Sequence, residues 1–233
     1  MILPERMRAV SSSSCDKCRV YLFTDIENVS GNDLEKWRSL LSDERLRRSE
    51  QYRFFRDRRT SVLVYLLLRI AVYEDTGRHT APEFSLNKYG KPYIIGIGDI
   101  FSISHCTKAV MCAYGCKCGC DVQDNEPALK PAAETIMTVD EKIAAGSDIR
   151  ELLRIWTMKE AYGKYIGKGL NYNTGEASFA RFTGNDGTFA VNDMYLHSVT
   201  YGELAYSVFS ENSPVVIKLS YEEFCEKCSV LKR

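Results

Sequence analysis

The sequence lacks net charge and long apolar runs. Its 31 basic and 31 acidic side chains cancel, so total charge makes no case for a nucleic-acid partner. No apolar stretch approaches the roughly 18 residues of a membrane helix, which excludes a span of that kind. The N-terminal stretch MILPERMRAVSSSSCDKC is charged and has no hydrophobic region of useful length. The expectation is therefore no secretory signal and a cytoplasmic protein.

What is present is a chain of 233 residues, 45% hydrophobic and 27% charged. That is enough to bury a sizeable core, as one large domain or two small ones. Nine cysteines, in a reducing compartment, are expected to be mostly free thiols. Cys15 and Cys18, and Cys225 and Cys228, have metal-like spacing, but they make a zinc site only if the chain ends meet. Cys112, in AVMCAY, reads as a small apolar residue of a buried strand. Cys118 and Cys120 alternate on the next strand, with Cys116 just before it.

The hydrophobic pattern predicts a strand at 19–26, helical structure at 33–55, and a strongly apolar helix at 56–77 that ends at Gly77. A turn at NKYGKPYI (87–94) leads to short strands at 100–106, 109–115 and 118–123. Two helices are expected around 130–145 and a long one at 148–166. ASFARF, MYLHSVTY, LAYSVF and PVVIKL read as strands, and SYEEFCEKC as a closing helix. This is an α+β chain of two similarly planned halves, 1–117 and 118–233, meeting near residues 116–120.

The segment WTMKEAYGKYIGKGL (156–170) carries the densest information. At about 100° per residue, Leu152, Ile155, Met158, Tyr162, Tyr165 and Ile166 fall on one apolar stripe. Trp156, Glu160 and Lys164 form a row beside it. Lys159 falls inside the stripe's edge, where an unpaired ammonium is costly, so an anion is expected to meet it. Gly163 costs roughly 1 kcal/mol against alanine within a helix, which suggests a close backbone approach. A surface Glu160–Lys164 pair, worth about 0.3–0.5 kcal/mol, is the plain alternative reading of the row.

Four stretches, NKYGKPYI (87–94), FSISHC (101–106), GCDVQ (119–123) and WTMKEAYGKYIGKGL, occur in order at sensible separations. With the early helices SDERLRRSEQYRFFRDRRTSVLVYLLLR (42–69), they resemble the Sfp-type 4'-phosphopantetheinyl transferases over about residues 20 to 210. The resemblance implies two pseudo-twofold related α/β halves, each a small antiparallel sheet packed with helices, with the active site in the cleft between them. It implies transfer of the phosphopantetheine arm of coenzyme A to a serine of an apo acyl or peptidyl carrier protein, releasing adenosine 3',5'-bisphosphate. Carried over by position, Asp121 and Glu160 bind Mg²⁺ with the diphosphate, and Gln123 stands where many members have a glutamate ligand. Ser104 and His105 contact phosphates, His105 the 3'-phosphate. Lys91 lies by the adenine and ribose. Arg45, Arg48 and Ser61 add coenzyme A contacts, Lys164 stands beside the diphosphate, and Lys159 is the lysine of the KE pair. Glu160 is the candidate general base, with Lys164 and His105 assisting.

His105, one of three histidines, has a plain structural alternative, as does the arginine run from Arg45 to Arg59, which also reads as a solvated face. A coenzyme A or carrier-protein binder with a degenerate metal site, motivated by Gln123, is the alternative function. A zinc-stapled nucleic-acid module is the third. The leading reading expects a monomer without nucleic-acid or membrane partners, acting in secondary metabolism.

Overall fold

The computed structural model describes residues 17–126, 129–172, 174–175 and 177–231. Cys15 and the serine run at 11–14 lie outside the described residues. In chain order come β1 (Cys18–Phe23), α1 (Gly31–Lys36), α2 (Asp43–Glu50), α3 (Phe55–Thr76), β2 (Phe84–Leu86), β3 (Pro92–Ile94), β4 (Phe101–His105), β5 (Val110–Tyr114) and β6 (Cys118–Asp124). Then follow α4 (Leu129–Ile136), α5 (Val139–Ala145), α6 (Ile149–Tyr165), β7 (Gly187–Val191), β8 (Met194–Tyr201), β9 (Leu204–Ser210), β10 (Pro214–Leu219) and α7 (Tyr221–Val230).

Two four-stranded sheets result, β10-β1-β5-β4 and β6-β9-β8-β7. The second is antiparallel throughout. In the first, β1 pairs antiparallel with β5 and parallel with β10. The last strand therefore returns from the second sheet's side of the chain to close the first. Strand β1 is buried on both faces, which is why it reads as a near-continuous apolar run. Tyr21 and Phe23 join the core under α3 and α7, while Val20, Leu22 and Cys18 join the core between the sheets.

Helix α3 is buried almost all round from Thr60 to Val72, as a helix apolar on every side must be. Gly77 ends it in a left-handed turn at φ 69°, its N–H returning to Tyr73 O; glycine takes that conformation without strain. Among the described residues no helix is long and apolar enough to cross a membrane. The helical stretch expected at 33–55 is split into α1 and α2. Ser30 and Ser42 cap the two helices separately, and capping hydroxyls start new helices rather than continuing old ones. ASFARF is not a strand: it ends in a 3₁₀ turn at Ala180–Phe182, which sends Phe179 and Phe182 into the core of the second half. Strands β2 and β7 were not expected from the pattern.

The sheets meet where β4, the edge of one, faces β6, the edge of the other. Their contact is made through side chains. Cys120 N–H donates to Ser102 Oγ at 3.0 Å and Val122 N–H to Ser104 Oγ at 3.4 Å. On the other face β6 is pressed onto α6. A Cβ on Gly119 would sit 2.1 Å from Ala161 O and 2.3 Å from Tyr165 N, so only glycine lets strand and helix backbones touch here. Gly163 does the same one layer out, where a Cβ would fall 2.3 Å from Gly169 O; this is the close approach its helical position suggested.

Gly119→Ala must separate β6 from α6, and overpacking of this kind costs typically 1–3 kcal/mol. The expected outcome is a loss near the top of that range, about 3 kcal/mol, in urea unfolding, whereas Gly146→Ala, facing open space, carries only its backbone strain.

Candidate functional site

The seam between the sheets opens into a cavity of about 660 Å³. One end is built from β4, β6 and α6. Ser104 and His105 come from the end of β4, Asp121 and Gln123 from β6, and Glu160 and Lys164 from one face of α6; all six line the cavity. The i, i+4 spacing of Glu160 and Lys164 stacks them a turn apart, and Gly119 brings that turn down beside Asp121. The other end is built by α2 and α3, with Arg45, Arg48, Ser61 and Tyr65, and the walls between include Phe84, Phe101 and Ile103.

Lys164 is the centre of the first end. Its Nζ donates to Asp121 Oδ1 at 2.7 Å, Cys120 O at 3.1 Å and Ser104 Oγ at 3.2 Å, which uses all three ammonium protons. Ser104 Oγ in turn donates to Asp121 Oδ1 at 2.6 Å. The second oxygen, Asp121 Oδ2, meets only Gln123 Nε2 at 3.4 Å, so it is the oxygen with acceptor capacity left. No described residue donates a hydrogen bond to the Glu160 carboxylate.

Burial acts most strongly against the Lys164 ammonium, but the Asp121 carboxylate, Cys120 and Glu160 together outweigh it and lift the lysine above its ordinary range. Burial, and then the Asp121 charge, raise Glu160 above an ordinary carboxylate; Lys164 offsets this only in part. His105 is pushed down by loss of solvent around its ring and by the Lys164 ammonium, which favours the neutral imidazole. Two carboxylates whose charges oppose each other at the end of one cavity, with a single ammonium between them, form a site that gains from a further cation.

Two residues of the expected set stand elsewhere. Lys159 does not line the cavity. It is fully buried on the opposite side of α6, where Nζ pairs with Glu141 at 3.0 Å and donates to Thr174 O and Ala177 O. An anion does meet it, as its odd position required, but that anion is Glu141. Glu141 also accepts from Thr138 N–H and Phe179 N–H, so the pair ties α5, α6 and the 177–179 segment together. Lys91 is held by Asp99 at 2.6 Å and Cys118 O at 3.2 Å. It faces an adjoining hollow of about 230 Å³ that also reaches Lys164. The turn that carries it is locked by Asn87, whose Oδ1 accepts from Tyr89 and Lys91 N–H and whose Nδ2 donates to Gly167 O.

The sequence reading missed Ser102, which completes the seam, and Tyr65. The signal for Ser102 was its two-residue spacing from Ser104 on a strand, which puts both hydroxyls on one face. Tyr65 sits mid-way along a helix apolar on every side, where nothing in the pattern marks it. Among the described residues Cys18 and the Cys225/Cys228 pair do not converge: Cys18 packs between the sheets and Cys228 on the far side of the first sheet. Among the described residues no three His, Cys, Asp or Glu side chains group to hold a metal.

Comparison with known proteins bears on the same residues. Residues 117–215 match the family model described as the 4'-phosphopantetheinyl transferase superfamily, a span that includes Asp121, Gln123, Glu160 and Lys164. A 4'-phosphopantetheinyl transferase of Bacillus subtilis is 26% identical over 155 residues, covering 61% of this chain and 67% of that protein. The 4'-phosphopantetheinyl transferase psf-1 of Bacillus pumilus is 28% identical, covering 66% and 69%. The 4'-phosphopantetheinyl transferase gsp of Aneurinibacillus migulanus is 33% identical over a shorter 93 residues, 37% and 39%.

The placement of Lys159 has a direct test. Glu141→Ala leaves a buried ammonium without its counter-charge, and breaking such a pair costs about 3–5 kcal/mol. Urea unfolding is expected to show a loss of that size.

Proposed function

We propose that the chain, whose residues 117–215 match the 4'-phosphopantetheinyl transferase superfamily, binds coenzyme A along the length of the cavity and transfers the phosphopantetheine arm to a carrier-protein serine at the Asp121–Glu160 end. The observation that carries this reading is that Asp121, Glu160 and Lys164 face one opening, with the arginines of α2 at its far end. In the reaction the serine Oγ attacks the β-phosphorus. A new O–P bond forms, the bond to the oxygen bridging the two phosphates breaks, and adenosine 3',5'-bisphosphate leaves.

Magnesium fits the donor set. Mg²⁺ prefers oxygen ligands, keeps several waters and needs only one or two carboxylates when phosphates also bind. Asp121 through Oδ2 and Glu160 would hold it, with Gln123 contributing its amide oxygen or a bridging water. When bound, the ion supplies neutralisation of the diphosphate charge. The remaining work falls to the chain's own groups. Glu160, unpartnered and with its pKa raised, takes the serine proton as general base. Lys164 holds Asp121 in place and neutralises charge on the leaving group. Ser104, whose proton goes to Asp121, keeps that carboxylate in place, and neutral His105 donates a hydrogen bond to a phosphate oxygen. Positioning and charge stabilisation carry most of such a transfer.

In this reading residues 1–117 supply the coenzyme A contacts and 118–233 the metal end, although β10 and α7 pack on the first sheet. We propose that the chain acts as a monomer. The setting we propose is the cytoplasm and secondary metabolism, with acyl or peptidyl carriers as partners and neither nucleic acid nor membrane involved.

Incubation with coenzyme A, Mg²⁺ and a panel of apo carriers is expected to add one phosphopantetheine mass to a carrier serine. Absence of that gain across the panel sinks the reading. Glu160→Gln is expected to lower the turnover rate by about 10²-fold or more while coenzyme A still binds; normal turnover would remove Glu160 from its role as base.

The pH dependence has a defined sign. The ionised form of Glu160 is the working one, and its pKa is raised by burial and Asp121. In the metal-free protein Glu160 therefore takes up its proton at a higher pH than an ordinary glutamate, and a cation held by Asp121 and Glu160 would lower that pH. Activity is present above the Glu160 pKa and lost as pH falls through it, and a rate–pH profile with no acid limb contradicts this.

A further inference from the structure

The arginine end of the cavity holds a polar atom that the transfer chemistry leaves unused. Tyr65 on α3 is 1% exposed. Its ring lies under the Arg45 guanidinium, 5.0 Å from the guanidinium carbon to the ring centroid, and edge-on to Phe84 at 6.3 Å. Tyr65, Arg45 and Phe84 all line the cavity. The ring is thus well packed, but its hydroxyl has no hydrogen-bond partner among the described residues. Native proteins leave few buried hydroxyls in that state, and a site that receives a ligand is one of the places where they occur.

The neighbours of this hydroxyl are donors as well. Arg45 and Arg48 are three residues apart on α2, side by side on one helical face. Arg45 Nη1 reaches only Ser61 Oγ, at 3.4 Å, and no carboxylate pairs with either arginine among the described residues. Burial and the Arg48 charge both act against the Arg45 cation, a conflict that an anion between the two would relieve. Two guanidiniums and two hydroxyls on one wall form a donor set suited to the several oxygens of a phosphomonoester dianion. The diphosphate is already accounted for at the Asp121–Glu160 end, so the phosphate group left for the arginine end is the terminal one.

We propose that Tyr65 is a specificity residue whose hydroxyl donates a hydrogen bond to the 3'-phosphomonoester of coenzyme A, beside Arg45, Arg48 and Ser61. This rests on the coenzyme A reading given above. A hydroxyl held on a rigid, buried helix would distinguish coenzyme A from the otherwise identical molecule that lacks this phosphate. A site built to bond a group discriminates strongly against the analogue without it.

The test is calorimetric binding of coenzyme A, dephospho-coenzyme A and adenosine 3',5'-bisphosphate to the wild type and to Tyr65→Phe. Expected is a loss of about tenfold or more for the two ligands that carry the 3'-phosphate, the size of a hydrogen bond to a charged group, with dephospho-coenzyme A unchanged. The melting temperature of ligand-free Y65F is expected to equal or exceed that of the wild type, because no protein partner is lost. Equal weakening of coenzyme A and dephospho-coenzyme A, unchanged coenzyme A affinity, or a lowered melting temperature of the free variant would each overturn the proposal. Failure of the wild type to bind coenzyme A at all is a different result, and it overturns the transferase reading itself.

Discussion

The open edge of β6 has to find partners for the Cys120 and Val122 amides and the Cys118 and Cys120 carbonyls, because β9 occupies only its other side. Unpaired buried main-chain groups are costly. Here the partners are side chains: the Ser102 and Ser104 hydroxyls take the amides, and the Lys91 and Lys164 ammoniums take the carbonyls. Had β4 continued the ladder with its own backbone, the two sheets would have fused and left no opening. Satisfying the edge with longer polar side chains holds the strands apart while keeping them tied. The same groups that tie the seam, Ser104 and Lys164, are the ones that grip Asp121. Structural and chemical roles are therefore not separable at these positions.

Helix α6 carries two lysines with opposite fates. Lys159 and Lys164 are five residues apart, which sets them well around the helix from each other. Each spends three hydrogen bonds on protein oxygens. Lys159 is closed off by Glu141 and two carbonyls, and it works as a buried staple. Lys164 is half-buried, and its counter-ion is a carboxylate that is itself open to the cavity on one oxygen. That difference in the partner, rather than in the lysine, makes one of them available to a ligand. It also explains why Asp121 and Glu160 tolerate each other: Lys164 neutralises one of the two charges and leaves about one negative charge for a cation to meet.

Much of this was legible in the sequence because it is carried by local patterns. The apolar stripe of α6, the Gly77 stop, the short strands around SISHC and GCDVQ, and the facing of Glu160 with Lys164 follow from periodicity and chain order. What was not legible depends on partners distant in the chain. Nothing near Lys159 announces Glu141, eighteen residues earlier on another helix, so a buried staple looked like a ligand contact. Strand β10 could be recognised as a strand, but its return to β1 across nearly 200 residues is a matter of topology that no local window holds. Tyr65 was invisible for the converse reason: an aromatic residue in an apolar helix is ordinary until the loneliness of its hydroxyl is seen in three dimensions. Gly119 was quoted in its motif, yet its reason, the carbonyl of Ala161 where a Cβ would stand, belongs to packing.

If the cavity takes coenzyme A as proposed, it resolves an apparent mismatch between a chain of zero net charge and a strongly anionic ligand. Charge is distributed along the opening rather than summed over the protein. The α2 end concentrates cations without paired carboxylates, and the β6–α6 end concentrates carboxylates around one ammonium. An anion with phosphate groups at two separated points can enter in only one favourable direction. In the proposed reading its monoester would go to the arginines and its diphosphate to the carboxylate end, whose residues would hold a divalent cation. Entry in reverse would set a diphosphate against α2, leave the metal end with too little phosphate, and place the reacting phosphorus far from Glu160. On that reading, binding at the remote arginine end would fix the register at the reacting end, which is how contacts distant from the chemistry raise its rate. The apolar walls at Phe84, Phe101 and Ile103 reinforce this by separating the two polar ends, since neither charged group can rest between them without losing its partners.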